Sequence, residues 1–299
     1  MINQHFVPEL TGDGSFTFFS DEFGEWFHSQ QGAYQEAQLK FIEPTHLVSK
    51  AQRSSLCLLD ICYGLGYNTA AALETIQTVN PDCQVEWVGL ELNPAVPRAA
   101  IAHNLLTGWS QSTQQILASL ADAHQVQNNY LYAQLLIGAA RQWMRQLHQH
   151  GFKADVIFLD PFSPPHCPQL WTIEFLQLVA QCLKPDGRLA TYSCAAAVRT
   201  ALLAAGLHIG ATTAVGRRSP GTVASFTQTD LPPLSLQECE HLQTRAAIPY
   251  RDPQLQDPAE VIIQRRQQEQ AASRLETTSQ WKKRWRNIAK PNRPQLPTQ

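Results

Sequence analysis

The chain has 299 residues, 43% of them hydrophobic and 16% charged, with a formal net charge of −2. That size suits one well-cored domain with appendages, or at most two domains, and the composition excludes a fibrous or wholly disordered protein even though Gln is abundant. The first ten residues lack the apolar centre of a signal peptide, and no window reaches about 18 uninterrupted apolar residues, so no membrane partner is expected and the cytoplasm is the expected setting.

The seven Cys include no Cys-x-x-Cys pair, and Cys57, Cys62, Cys182 and Cys194 lie in apolar contexts. Reduced core thiols are therefore expected rather than disulfides or zinc. His166-Cys167 brings two ligand types together, but no second pair accompanies it, and no metal is expected. Charge is unevenly distributed. Residues 261–299 carry nine Lys/Arg against Glu269 and Glu276, a net of +7, which leaves −9 for the other 260 residues. A basic tail on an acidic body points to an anionic partner. Nothing in the sequence bears on oligomeric state.

In chain order, Ser15–Ser20 and Glu25–Ser29 alternate around Asp21-Glu22-Phe23-Gly24 as a hairpin does. A helix from Gly32 to Ile42 stops before Pro44. Apolar runs then alternate with helical patterns, which predicts βαβ units on a parallel sheet. Strands are predicted at Leu56–Ile61, Val85–Leu90, Leu131–Ile137, Ala154–Leu159 and Arg188–Ser193. Helices are predicted at Asn68–Thr78, Ala95–Leu106, Arg141–His148, Trp171–Leu183 and Ala195–Ala205, the last stopped by Gly206. Lys184-Pro185-Asp186-Gly187 reads as a turn. Leu207–Ala214 and Thr222–Thr227 form a closing antiparallel pair around Arg217 and Arg218. After the linker Leu231-Pro232-Pro233-Leu234, Asp257 is the expected N-cap of a helix over Ala259–Leu275. Three parts follow: 1–50, a hairpin and helix; 51–230, the α/β core; and 231–299, a linker with a basic helical tail.

The first core strand leads into Asp60-Ile61-Cys62-Tyr63-Gly64-Leu65-Gly66-Tyr67-Asn68. Two glycines between strand and helix let the backbone approach a ligand. Glu91 ends the second strand, placed to accept hydrogen bonds from an adenosine ribose. Nicotinamide enzymes share both features. Bulky Tyr67 and Thr69 stand where a dinucleotide fold wants a small residue, and the strand order with a terminal antiparallel pair fits S-adenosylmethionine better. Asp160-Pro161-Phe162-Ser163-Pro164, after Val156-Ile157-Phe158-Leu159, sets an acceptor oxygen, an apolar face and a stiff backbone at one sheet edge. Those are the needs of an amine methylated by a sulfonium.

Asp160-Pro-Phe-Ser-Pro, followed by Pro168-Gln-Leu-Trp171, resembles the Asp-Gly-Phe-x-Pro…Pro-x-x-Trp pattern of the MnmC methyltransferase domain. Gly64-x-Gly66-x-Asn68 and Gly14-Ser-Phe-Thr-Phe-Phe-Ser20 through Gly24 are similar to it as well. The likeness spans roughly residues 10–230. It implies a class I S-adenosylmethionine-dependent methyltransferase fold, Rossmann-like α/β, with an N-terminal β-hairpin and helix and a C-terminal basic helical extension. It also implies the form without the FAD oxidase domain (the MnmD-like arrangement). The implied substrate is the aminomethyl group of 5-aminomethyl-2-thiouridine at the tRNA wobble position, in the anticodon region.

On this reading Asp160 and Phe162 are catalytic, Asp160 orienting the amine and Phe162 stacking on the extruded pyrimidine, with Pro161 beside them. Asp60, Tyr63, Gly64, Gly66, Asn68, Glu91 and Ala139 bind the cofactor, and Arg217, Arg218, Lys282, Lys283 and Arg284 bind the tRNA. Arg265, Arg266, Arg286, Trp281 and Trp285 add charge and rings to the tail. Trp171 and Phe175 are expected in the core.

Two positions depart from the pattern. Cys62 stands where the family has Gly, and Gly138-Ala139-Ala140 replaces a Gly-Asp whose carboxylate meets the adenine amine. The second change costs roughly 1–2 kcal/mol of cofactor binding, about tenfold. Two rival readings are a small-amine methyl- or aminopropyltransferase of spermidine-synthase-like fold, and an RNA-binding protein with a degenerate cofactor site.

Overall fold

The computed structural model describes residues 6–214 and 220–288. Its strands are β1 (Glu9–Leu10), β2 (Phe16–Thr17), β3 (Phe19–Ser20), β4 (Glu25–Trp26), β5 (Ser55–Ile61), β6 (Gln84–Glu91), β7 (Gln125–Gln127), β8 (Leu131–Ile137), β9 (Ala154–Leu159), β10 (Leu183–Thr191), β11 (His208–Ala211) and β12 (Thr222–Ser225). Among the described residues the main sheet has eight strands in the order β11-β12-β10-β9-β5-β6-β8-β7. The five central strands run parallel, while β7, β11 and β12 pair antiparallel at the two sides. This is the class I methyltransferase arrangement.

Both faces of the sheet are covered at its centre, which is why β5 and β9 are buried almost throughout, whereas β8 nearer the side alternates. Leu56, Leu58, Trp87 and Phe158 face one layer with Tyr67 and Leu73; Leu59, Ile157, Trp171 and Phe175 face the other. The helices Tyr67–Val79, Ala95–Ala102 and Gln111–Ala123 lie with the first layer, and Ile173–Gln181 and Ala196–Ala204 with the second. Trp171 and Phe175 are fully buried core residues.

Several expectations need correction. The helix predicted to reach Leu106 ends at Ala102, and a separate helix, Gln111–Ala123, follows with Ser110 as its N-cap. Lys184-Pro185-Asp186-Gly187 does not precede the fifth strand but bulges within β10: five steps from Leu183 to Arg188 match two on β9, from Ala154 to Val156. Asp257 does not cap the following helix. Pro258 occupies the N-cap of Ala259–Ala272, and Asp257 pairs instead with Arg265. The segment predicted as one hairpin strand splits into β2 and β3, which pair with β1 and β4 respectively. All seven cysteines are free thiols. No described helix is long and apolar enough to cross a membrane.

Candidate active site

The C-terminal ends of β5, β6 and β9 open onto a cavity of about 630 Å³. β5 connects onward to β6 on one side, and β9 to β10 on the other, so the chain diverges where β5 and β9 lie side by side. Open α/β sheets bind ligands at such a switch point. Gly64, Glu91 and Asp160 all line the cavity, with Pro161, Phe162 and Tyr192.

Asp160 is held from both sides of the switch point. Its backbone N–H donates to Ile61 O (3.0 Å), and the Asn68 side-chain amide donates to Asp160 Oδ2 (2.8 Å). The next three residues are fixed as well. The Tyr192 hydroxyl donates to Pro161 O (2.8 Å), Trp171 Nε1 donates to Phe162 O (2.8 Å), and Ser163 N–H donates to the Glu25 carboxylate (2.8 Å). The Ser163 hydroxyl donates to the same carboxylate. Glu25 thereby ties the N-terminal hairpin to the Asp160 loop, and a loop anchored this often loses little freedom when substrate arrives. Neither Glu25 nor Tyr192 stands out in the sequence; Glu25 reads there only as a polar position of the hairpin. Phe162 stacks on Phe23 at 4.4 Å between centroids and 18° between planes, with Phe27 edge-on at 5.0 Å. One face of Phe162 is therefore already covered.

The glycine loop follows a different logic from the one its sequence suggests. Gly64 and Gly66 have φ of +59° and +93°, and Cys62 shares the left-handed conformation at 70°. A Cβ on Gly66 would stand 2.5 Å from the Tyr63 hydroxyl and 2.8 Å from its ring carbon. Gly66 is required by Tyr63, which is buried edge-on against Trp87. Of the proposed cofactor residues, Gly64 and Glu91 reach the cavity wall, whereas Asp60, Tyr63, Gly66 and Asn68 lie buried behind it. Ala139, the N-cap of the helix Ala140–Gln149, is not part of the wall. At Cys62 the departure from Gly places a side chain where left-handed backbone costs about 1–2 kcal/mol.

Glu91 accepts from Gly64 N–H (2.9 Å) on Oε2 and from Asn93 N–H (2.8 Å) on Oε1. A carboxylate has about four acceptor positions, so capacity is left for two ribose hydroxyls. Asp60 is fully buried and takes the Thr69 hydroxyl on Oδ2 (2.6 Å), while its Oδ1 has no partner. Its work is inside the fold. Burial pushes the Asp60 carboxyl up to about 7, against the Thr69 hydroxyl and assisted by the Glu91 charge. Burial likewise raises Glu91 to about 7, opposed by the N–H groups of Asn93, Gly64 and Leu92. The glycine turn, the acceptor capacity of Glu91 and the cavity size fit an adenosine-bearing cofactor.

The tail is only partly available to an outside partner. Arg265 donates to the Arg251 carbonyl and to Asp257 (2.8 Å). Arg266 donates to the carbonyls of Ile248 and Ala246 and lies 4.5 Å over the Tyr250 ring. Arg284 donates to Glu240 and Glu276, and Trp281 stacks on His241 at 4.4 Å. Lys282, Lys283 and Arg286 are exposed. Arg217 and Arg218 lie outside the described residues.

Comparison with known proteins agrees with this fold. Residues 103–227 match the model of a family described as S-adenosyl-L-methionine-dependent methyltransferase. The crystal structure of MnmC2 from Aquifex aeolicus is similar, at 31% identity and a TM-score of 0.79, over 91% of this chain and 87% of that one. An uncharacterised protein of Methanocaldococcus jannaschii is 28% identical over 89% of this chain and 72% of its own length. The bifunctional tRNA 5-methylaminomethyl-2-thiouridine biosynthesis protein MnmC of Methylibium petroleiphilum is 29% identical over 69% of this chain. The chain spans 32% of that relative's length. Fold, site and family model together define an S-adenosylmethionine-dependent methyltransferase. Its likeness to the Aquifex enzyme goes further: the chain belongs to the MnmC2 family.

Two predictions follow from the loop and its carboxyls. Gly66→Ala should destabilise the cofactor-free protein by roughly 1–3 kcal/mol in denaturant unfolding, through positive-φ strain and the clash with Tyr63. An effect confined to cofactor affinity would mean that a ligand, not Tyr63, demands the glycine. Asp60 has a folded pKa of about 7 against an ordinary 3.8, so the folded state keeps a proton that the unfolded chain has released. That contribution is complete below about pH 4 and is lost as pH rises through about 7. Relative to Asp60→Asn, the wild-type chain should therefore lose thermal stability between about pH 4 and pH 7 and little more above that, and a pH-independent difference would refute the assignment.

Proposed function

We propose that this methyltransferase transfers a methyl group to the aminomethyl nitrogen of 5-aminomethyl-2-thiouridine at the tRNA wobble position. The observation that carries the reading is the Asp160 carboxylate, held by Asn68 from the helix after the glycine loop and lining the same cavity as Gly64 and Glu91. The names of the bifunctional relatives support the choice of substrate.

The cofactor supplies an electrophilic methyl on its sulfonium. The chain's task is to present an amine lone pair in line with that methyl at near-attack distance. Asp160 accepts an amine N–H, which turns the lone pair towards the methyl and offsets the positive charge that grows on nitrogen. Asn68 fixes the orientation of that carboxylate. Pro161 and Phe162 provide a flat apolar wall; because Phe23 covers one face of Phe162, a base stacked on that ring takes the other face or displaces Phe23. Lys282, Lys283 and Arg286 offer charge to the phosphate backbone.

Asp160→Asn should leave cofactor affinity by calorimetry nearly intact and lower single-turnover methylation of hypomodified tRNA by about 100-fold or more. Unchanged turnover would remove Asp160 from the chemistry. Replacing Lys282, Lys283 and Arg286 with Ala should weaken tRNA binding and make its logarithmic salt slope shallower by roughly 2–3. Arg284→Ala should instead lower thermal stability with little change of slope, since its charge is spent within the chain.

One observation favours a second reading. Asp21, Glu22, Glu25, Glu91 and Asp160 all line the cavity, an acidic wall that suits a free polyamine as well as a nucleoside amine. Transfer to spermidine or putrescine without tRNA would establish that alternative.

A further inference from the structure

The cavity wall carries fixed charge of one sign. Asp21, Glu22, Glu25, Glu36, Glu91 and Asp160 line it, and among the described residues no Lys or Arg does. That the cavity takes a ligand rests on other grounds. It opens at the switch point of the sheet, and His28, 8% exposed in its wall, has an Nδ1 without a partner. Most of the carboxyls are engaged within the fold: Glu25 holds Ser163, Glu36 accepts the Ser29 N–H, Glu91 accepts from Gly64 and Asn93, and Asp160 accepts from Asn68. Asp21 and Glu22 differ. Both are exposed, and among the described residues no hydrogen bond or ion pair engages either side chain.

Their place over the site is fixed by the residues that follow them. Asp21 and Glu22 belong to the turn between β3 and β4, and the next residue, Phe23, stacks on Phe162 at 4.4 Å. Beyond the turn, Glu25 holds the N–H and hydroxyl of Ser163. The two unpaired carboxylates are thereby mounted on the Asp160 loop, at which the amine would be oriented. An RNA partner brings phosphates, and unneutralised carboxylates at the mouth of the cavity repel them. Such a pair weakens docking unless the group that enters the cavity is itself positive.

We propose that Asp21 and Glu22 determine specificity by reading the charge of the C5 substituent on the target uridine. They favour a cationic aminomethyl group over a neutral group of the same size, and they reject an anionic one. The inference rests on the substrate reading given above. A primary alkyl amine is an ammonium near neutral pH, so the substituent arrives as a cation and is attracted to the turn. Selection at the mouth is separate from the chemistry, because Asp160 orients the amine only after it has been admitted. Discrimination of this kind comes as much from repelling the wrong substituent as from attracting the right one.

The test uses anticodon stem-loop RNAs that differ only at that substituent: aminomethyl, hydroxymethyl as its neutral isostere, carboxymethyl, and unmodified uridine as the reference. Dissociation constants are measured by competition on the full chain with S-adenosylhomocysteine present, which avoids turnover. The wild-type chain should prefer the aminomethyl over the hydroxymethyl RNA by roughly five- to tenfold, the scale of two exposed charge interactions, and should bind the carboxymethyl RNA more weakly than the reference. Combining Asp21→Asn with Glu22→Gln should remove most of that preference, and combining Asp21→Lys with Glu22→Lys should invert it. The preference should also shrink as salt rises, since exposed charges are screened. Both side chains are exposed and unpaired, so melting temperature and cofactor affinity should stay near wild type. If the variants bind every RNA more tightly by one common factor, the carboxylates act on phosphates alone, and the inference falls while the substrate reading stands. No preference in the wild type, or one unchanged in both variants, has the same consequence. A wild-type chain that transfers no methyl to the aminomethyl RNA overturns the substrate reading and the inference with it.

Discussion

The hydrogen bond from Asn68 to Asp160 joins positions 92 residues apart and links the two halves of the site. Asn68 belongs to the first turn of the helix that follows the glycine loop, and Asp160 directly follows β9. The geometry of this bond depends on a chain of packing beneath it. Tyr63 lies buried against Trp87, its hydroxyl takes the space under Gly66, and Gly66 adopts the left-handed turn from which the helix starts. A core contact thereby sets the position of the carboxylate at which the amine would be oriented.

The second constraint is the roof. β3 and β4 are two residues each, far too short to be stable alone. They keep their shape because the hairpin is bound to the site it covers: Glu25 takes both the N–H and the hydroxyl of Ser163, and Phe23 stacks on Phe162. The Asp160 loop holds the roof, and the roof restricts that loop. Such mutual support gives preorganisation at little entropic cost, and it explains why a polar hairpin residue sits at the edge of an active-site cavity.

The parts of the molecule that the sequence makes legible are those where local pattern and tertiary role agree. β9 matches its predicted limits because it is a run buried along its whole length, and β8 does so with alternating burial, Leu131, Ala133 and Leu135 inward and Tyr132 exposed. The helix Gln111–Ala123 is harder to see, since Gln and Ser dominate its surface, yet Ser110 as a cap and Ile116, Leu117, Leu120 and Ala121 at helical spacing carry the signal. The Lys-Pro-Asp-Gly run reads as a turn because its residues favour one; only pairing with β9 shows that the strand continues through it as a bulge. At the site, Gly64, Glu91 and Asp160 are visible because each ends or follows a strand. Glu25 and Tyr192 are not, because their significance comes from the Asp160 loop that each of them fixes from across the cavity.

The tail shows the same limit for charge. A net of +7 over residues 261–299 reads as a surface for an anion, but a count of charges does not say where their partners are. Arg265 and Arg284 are paired with carboxylates, and Arg266 is spent on backbone carbonyls and the Tyr250 ring. Part of the positive charge therefore fastens the tail to the segment 240–257 instead of facing outward. What is left for a phosphate backbone among the described residues is concentrated on the helix Thr278–Ile288, where Lys282, Lys283 and Arg286 are exposed. That helix is in turn held by Trp281 on His241 and by Glu240, which takes both Arg284 and Trp285 Nε1. A rigidly mounted cationic helix can set the register of a bound RNA, whereas a loose basic segment could only raise its local concentration.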